Sequence, residues 1–151
     1  MPFMVKAALA AALVVVAGAA QAQDRGNAAQ AEALLRKAAA HYTAVGKTKA
    51  LDDFTNDKAD YVDRDLYIAC IDRQGIWTAH GMNKGLLGRD MTKLMDADGH
   101  SLGNLILDTV KTNKEGWVEY RWANPTTKKL DDKRSFVMLI GDDVCGVGFY
   151  K

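Results

Sequence analysis

Apolar residues recur every three or four positions in two parts of the chain, a period typical of amphipathic helices. The first part, residues 28–45, contains Ala31, Leu34, Leu35, Ala38, Tyr42 and Val45. Gly46 follows it as a C-terminal cap, and residues 47–54 can add a short helical turn before a polar, irregular stretch at 55–64. The second part contains Leu102, Leu105, Ile106 and Val110. Ser101 is its expected N-cap, and we expect Gly116 to end it.

Shorter apolar runs rich in β-branched and aromatic residues predict strands. Residues 66–71 and 76–80 flank a turn and indicate a β-hairpin. Short turns join three further runs, at residues 117–122, 134–140 and 144–150. This arrangement indicates a three-stranded antiparallel meander. Residues 81–99 are rich in glycine and lack an apolar period, so they predict a long ordered loop, a kind of loop that is usually functional.

The first 22 residues have the pattern of a secretory signal peptide. Lys6 precedes an apolar run from Ala7 to Ala20, and Ala20-Gln21-Ala22 matches an A-x-A cleavage site. The run is short of the roughly 20 residues that span a bilayer. We therefore expect cleavage after Ala22, a mature domain at 23–151 and a periplasmic location. An uncleaved membrane anchor is the alternative.

Charge and motif content exclude several classes of function. The chain has 20 Lys and Arg against 19 Asp and Glu, and removal of Lys6 leaves a formally neutral domain, so we expect no nucleic-acid partner. Nucleophile-elbow, P-loop and dinucleotide-binding motifs are absent, so we predict no catalytic activity and no cofactor. The three histidines lack metal-ligand spacing. A calcium loop starting at Asp96 would place Leu107 where an EF-hand needs glutamate, so we expect no metal site.

Taken in order, several short segments resemble the single Cache domain, the extracellular sensor module of bacterial chemoreceptors and sensor kinases. The resemblance spans residues 30–151. The segments that carry it are Ile68–Gly75, Trp77–Asn83, Leu87–Asp90, Asp96–Gly99, Gly116–Trp122, Asn124-Pro125, Lys133–Val137 and Gly146–Tyr150. It implies an α+β, PAS-like fold, in which a five-stranded antiparallel sheet carries a long N-terminal helix and a helix and loop cover one face.

The resemblance also implies a small pocket that binds a small organic acid or a similar metabolite. No transmitter segment follows Lys151, so we expect the bound state to be passed to a partner such as a membrane receptor or a sensor kinase, with a homodimer through the N-terminal helix as one arrangement. The alternative is a regulator that docks on a receptor ectodomain and needs no ligand.

Five residues are candidates for the pocket. A lysine recurs in the family before this strand, so the resemblance makes Lys133 the anion anchor, whereas its charged neighbours alone would favour a solvated turn. His80 would supply a hydrogen bond. Tyr120 and Trp122 share a strand face and would form a wall, and Met82 would help the loop to cover the opening. Ordinary structural roles for the histidine and the aromatic residues remain open.

Two cysteines remain in the mature domain, Cys70 and Cys145. The sheet order implied by the resemblance pairs the first strand with the last and makes these residues neighbours, so a cross-strand disulfide is possible in an oxidising compartment. Two buried free thiols are the alternative.

Overall fold

An antiparallel sheet of five strands lies between two layers of helix and loop in the computed structural model, which describes residues 25–96 and 98–151. The predicted signal peptide lies outside the described residues. The helices are α1 (Ala28–Val45), α2 (Lys47–Asn56), α3 (Lys58–Tyr61) and α4 (Leu102–Asn113). The strands are β1 (Val62–Asp63), β2 (Leu66–Tyr67), β3 (Ala69–Asp72), β4 (Trp77–His80), β5 (Glu115–Ala123), β6 (Leu130–Ile140) and β7 (Asp143–Tyr150).

The strand order of the sheet is β4-β3-β7-β6-β5, and every neighbouring pair is antiparallel. The last strand therefore lies in the centre, beside the first strand of the hairpin. This is the order that the family resemblance implied, and the predicted α+β class is confirmed. β1 and β2 form a separate two-stranded ribbon.

The two faces of the sheet are buried by different elements. α1 and α2 pack on one face, where Leu35 and Phe54 are fully buried. α4 and part of the 81–99 segment pack on the other face, where Met91, Ile106 and Val110 are buried. Because side chains alternate between faces along a strand, each long strand contributes to both layers.

α1 follows the sequence prediction in both its bounds and its buried face. Asn27 caps its start: its side chain accepts a hydrogen bond from the Gln30 backbone at 2.9 Å, and the Gln30 side chain accepts one from the Asn27 backbone at 3.1 Å. Gly46, at φ 86°, ends the helix in a backbone conformation that favours glycine. No helix among the described residues is long and apolar enough to span a membrane.

The predicted irregular stretch at 55–64 is wrong in part, because α3 and β1 form within it. Asp57 caps α3, and Tyr61 is buried. The single strand predicted at 66–71 is also wrong: Ile68 separates β2, which pairs with β1, from β3, which pairs with β4 and β7. Elements of two to four residues are too short to produce a readable period.

Two boundaries near the middle of the chain also differ from the prediction. α4 ends at Asn113 with Lys114 in the left-handed region at φ 61°, so Gly116 lies inside β5 rather than at the helix end. β6 begins at Leu130, four residues earlier than predicted, and so includes the charged residues that the sequence alone favoured as a turn. The 81–99 loop contains two single 3-10 turns, Lys84–Leu86 and Met91–Lys93.

Candidate functional site

A cavity lies between the sheet and the layer formed by α4 and Met91. Its volume is about 30 Å³. A volume of this size accommodates one or two waters or a ligand of a few heavy atoms. The lining consists of Tyr67, Ala69, Ile71, Trp77, Met91, Ile106, Tyr120, Lys133, Ser135, Val137, Val144, Gly146 and Gly148.

Two glycines of β7 leave the floor of the cavity open. A Cβ atom at Gly148 would overlap the Lys133 Cε and Ser135 Oγ atoms, and a Cβ at Gly146 would lie 3.1 Å from Val137 Cγ1. The missing side chains thus create the space into which the neighbouring side chains of β6 extend.

Lys133 lies at the polar end of the cavity with only 4% of its surface exposed. Its Nζ donates to the Tyr67 hydroxyl at 3.0 Å and lies 4.3 and 5.1 Å from the ring centroids of Tyr67 and Tyr150. Within residues 25–96 and 98–151, no carboxylate oxygen lies within 4.0 Å of this nitrogen. Burial lowers the pKa of Lys133, with the charges of Tyr120 and Asp65 acting in the opposite direction.

Strand register explains why this lysine points inward from a charged segment. Lys133 pairs with Tyr120 on β5 and with Tyr150 on β7. Residues at alternate positions of β6 share a face, so Ser135 lines the cavity with Lys133, whereas the Arg134 guanidinium lies 4.6 Å from the Trp117 ring on the α1 side.

Hydroxyl groups complete the polar end. Tyr120 Oη and Ser135 Oγ are 2.9 Å apart, and either can be the donor. In such a pair the accepting hydroxyl keeps its own proton, which stays free to bond a ligand oxygen. The Tyr150 hydroxyl donates to the Ala123 carbonyl at 2.9 Å. Burial raises the pKa of Tyr67 to about 12, so this phenol stays neutral.

Aromatic side chains form a continuous series around the cavity, which we call the aromatic arc. Centroid distances along it are 4.9 Å from Tyr67 to His80, 5.2 Å from His80 to Trp77, 6.2 Å from Trp77 to Trp122 and 6.3 Å from Trp122 to Tyr120. Tilted and edge-on contacts at such distances are favourable. The arc joins two separate strands, β4 and β5, to β2.

His80 is buried behind the cavity rather than lining it. Its Nδ1 accepts hydrogen bonds from the Met82 and Asn83 backbones at 3.2 and 3.0 Å, so the ring proton lies on Nε2. Burial lowers the pKa of His80 to about 3, and the charges of Lys133 and Lys58 add to the effect. The imidazole is therefore neutral at physiological pH, and it fixes the start of the 81–99 segment.

The sequence-predicted site residues fall into three groups. Lys133 and Tyr120 line the cavity, whereas His80 and Trp122 support it from within the aromatic arc. Met82 is 41% exposed and makes no part of the lining, although we expected it to cover the opening. Met91, from the same segment, covers the cavity instead.

Sequence reasoning missed Tyr67, Trp77 and Ser135. Ser135 could have been found, because it shares strand parity with Lys133. Trp77 was part of the quoted resemblance but carried no signal for a pocket. Tyr67 could not be found because its position depends on the break between β2 and β3.

A surface groove meets the polar end of the cavity. Tyr120 and Lys133 line both spaces, so these two side chains separate the cavity from solvent. The other residues of the groove are charged: Asp96, Asp98, Glu119, Arg121, Asp132 and Lys151.

The loop beside this groove brings together Asp96, Asp98 and His100, whose potential ligand atoms all lie within 4.8 Å of one another. Hydrogen bonds within the loop account for this arrangement. Asp96 Oδ1 accepts from the backbones of Asp98 and His100 at 2.9 and 2.8 Å, and Asp98 and His100 are exposed.

Cys70 and Cys145 are joined by a disulfide in the structure. They are register partners on β3 and β7, with Cα atoms 4.0 Å apart. Both lie in the core beneath α1, and their neighbours Ala69 and Gly146 line the cavity on the opposite face.

Comparison with protein families gives a match over nearly the whole chain. The model of the family described as Single Cache domain 2 matches residues 3–148. This match begins within the segment that we predict to be a signal peptide. Among curated proteins, no significant sequence match was found.

Solved structures of sensor domains are similar in fold. The crystal structure of a methyl-accepting chemotaxis protein from Vibrio parahaemolyticus RIMD 2210633 is 22% identical with a TM-score of 0.71, and the alignment covers 81% of this chain and 86% of that chain. A Cache chemosensory domain, solved to show the structural basis for carboxylic acid recognition, is 25% identical with a TM-score of 0.62 over 81% and 86% of the two chains. The periplasmic sensor domain of a chemotaxis protein is 25% identical with a TM-score of 0.62, and the alignment covers 81% of this chain and 88% of that chain.

Proposed function

The chain belongs to the single Cache domain 2 family, and from that premise we propose that it is a periplasmic domain that binds a small organic acid without catalysing a reaction. Cache domains are extracellular or periplasmic sensor modules, and one similar domain recognises carboxylic acids. The predicted signal peptide and the disulfide support the location, because disulfides persist in oxidising compartments.

The observation that carries the proposal is a buried lysine that has no carboxylate within 4.0 Å among the described residues. Removing an ammonium from water costs several kcal/mol unless a counter-charge compensates it. Lys133 has a phenol and two aromatic rings as partners, and among the described residues the charge of Asp65 acts on it only from beyond ion-pair distance. A ligand carboxylate in the adjoining cavity would supply the missing charge, accept a second hydrogen bond and raise the pKa of Lys133 again.

The size and polarity of the cavity define the ligand further. One end carries Lys133, Tyr67, Tyr120 and Ser135, and the rest is apolar. This is the usual design of a small-molecule site, in which a few polar groups orient the ligand within an apolar wall. The Ser135 hydroxyl pairs with Tyr120 and the ammonium pairs with Tyr67, so the contacts favour binding over nucleophilic catalysis.

A ligand-independent docking role has less support. That role calls for a large exposed apolar patch on α1, but Val45 is the only large hydrophobic residue of this helix that is exposed, at 39%. The proposal includes two ways in which the ligand-bound state is transmitted. A membrane receptor or a sensor kinase detects it, or a dimer forms through α1.

The test is a thermal-shift screen of residues 23–151 against short organic acids, with Lys133→Met as the variant and Arg134→Met as the matched control. Replacing a buried ion by an apolar side chain of similar volume is often neutral or stabilising, so the variant should fold. A ligand at a hundredfold excess over its Kd stabilises a protein by about 2.7 kcal/mol. We expect this shift in the wild type and the control and none in Lys133→Met. Equal shifts in all three proteins would refute the anchor.

A further inference from the structure

The two edges of the five-stranded sheet differ in whether further backbone covers them. β4 forms one edge, and the Trp77 N–H donates to the Arg89 carbonyl while the Gly88 N–H donates to the Trp77 carbonyl, both at 2.9 Å. β5 forms the other edge with nine residues, Glu115–Ala123. Among the described residues, β6 is the only strand that pairs with β5. An uncovered edge strand is a template for a strand of another chain.

Backbone hydrogen bonds at the two ends of β5 show which of its residues face outwards. Directly opposite residues of an antiparallel pair alternate between hydrogen-bonded and non-hydrogen-bonded pairs. The Leu139 N–H donates to the Lys114 carbonyl, and the Asn124 N–H donates to the Lys129 carbonyl, each at 2.8 Å. Lys114 and Asn124 flank β5 and continue its register with β6. The even-numbered residues of β5 therefore bond to β6, and the odd-numbered residues direct their N–H and C=O groups away from the sheet.

The outward-facing backbone groups at the centre of β5 belong to Trp117, Glu119 and Arg121. Within residues 25–96 and 98–151, no hydrogen bond outside the β5–β6 ladder reaches the backbone of these three residues. The Glu119 and Arg121 side chains are 58% and 56% exposed, and both residues line the open surface groove. A second strand can therefore reach this edge.

Charge selects a second copy of β5 as the partner. Outward-facing residues must lie opposite one another, so a two-fold axis passes through a residue position. An axis at Tyr120 places Glu119 opposite the partner's Arg121 on both sides of the axis, and opposite charges in directly opposed pairs are stabilising. An axis at Glu119 would place this carboxylate opposite its own copy, which is destabilising. An axis at Val118 would place Glu119 opposite the partner's Trp117.

We infer that the β5 edge is a homodimer interface, in which two copies pair antiparallel about Tyr120 and join their sheets into one. Each of the two Glu119–Arg121 pairs exchanges two backbone hydrogen bonds. The side chains extend ion pairs within each chain, from Lys151 to Glu119 at 2.9 Å and from Arg121 to Asp132 at 3.6 Å. This interface is separate from α1 and does not depend on the identity of the ligand. Because Tyr120 also lines the cavity, the axis lies beside the candidate site.

The experiment is analytical ultracentrifugation of residues 23–151 over a range of concentrations. Glu119→Lys places each new lysine opposite the partner's Arg121, and we expect it to weaken dimerisation by about tenfold or more. The double variant E119R/R121E restores opposite charges across the axis. Its dimer should be within about threefold of the wild type, because the exposed ion pairs inside each chain contribute little. Asp60→Lys is the matched control, because Asp60 pairs with Lys37 rather than with β5, and it should dimerise like the wild type.

Amide hydrogen exchange of the wild-type chain, followed by NMR, tests the interface without a variant. Exchange at Glu119 and Arg121 should slow at concentrations that populate the dimer, whereas Val118 and Tyr120, which bond to β6, should exchange slowly at every concentration.

Four results would overturn the inference and leave the organic-acid proposal standing. They are a wild type that stays monomeric at about 1 mM, a Glu119→Lys protein that dimerises normally, a folded double variant that is no better than Glu119→Lys, and unchanged exchange at Glu119 and Arg121 in the dimer. A dimer that is lost in Val45→Asp and kept in Glu119→Lys would assign the interface to α1 instead.

Discussion

A methyl group added at Gly148 would project into the space that the proposed ligand needs. The new Cβ would overlap Lys133 Cε and Ser135 Oγ, whereas unstrained contacts between such atoms are about 3.5–4.0 Å. Both side chains would have to move by more than an ångström within a buried layer. Overpacking of this kind costs about 1–3 kcal/mol. At roughly 4 °C per kcal/mol for a domain of this size, we expect Gly148→Ala to melt about 4–12 °C below the wild type.

The same substitution should abolish ligand binding, because the displaced ammonium fills the remaining free volume. The assay is thermal melting with and without the best acid from the screen, followed by calorimetry at a temperature where the variant is folded. Gly85→Ala is the control, since Gly85 lies on an exposed turn away from the cavity. A Gly148→Ala protein with wild-type stability and an undiminished ligand shift would refute the assignment of the cavity.

Two further predictions concern pH and the disulfide. The pKa of His80 is about 3 in the folded protein against 6.5 when unfolded, so the unfolded state binds the extra proton and stability falls as pH drops from 6.5 towards 3, by about 1.4 kcal/mol per unit. His80→Asn keeps an acceptor for the Met82 and Asn83 backbones. We expect the free energy of unfolding of this variant, measured with urea at several pH values, to depend on pH less steeply than that of the wild type, by one proton. An identical pH dependence in the two proteins would contradict the reasoning. Removing the Cys70–Cys145 bridge, which closes a separation of 75 residues, should cost about 4 kcal/mol in the chain-entropy model, and two alkylated thiols in the non-reduced protein would show that no bridge forms.

The parts of the fold that follow from the sequence are those with long, regular patterns. α1 presents a sustained helical period and an explicit cap, and the strands of the meander alternate in polarity, so their faces could be assigned from parity. Tyr120 was accessible for that reason, whereas Lys133 precedes the strand predicted at 134–140 and was accessible only through the family resemblance.

The rest of the site depends on tertiary placement. Tyr67 reaches Lys133 because strand pairing is interrupted at Ile68, so that β2 pairs with β1 rather than with the main sheet. Six consecutive apolar residues give no sign of this interruption in the sequence. Trp77 lines the cavity from the edge strand β4, and Gly148 contributes by having no side chain. Met82 was expected over the opening as part of the 81–99 loop, but its backbone is held by the His80 ring and its side chain is exposed.

The uncompensated ammonium of Lys133 has a consequence for anyone who purifies this domain. A site that lacks its counter-charge gains stability from any small anion that fits, so formate or acetate in a buffer becomes a competitor. Affinities measured in such buffers will be underestimates, and melting temperatures will depend on the salt chosen. Dialysis against an anion too large for a cavity of about 30 Å³ gives the correct reference state.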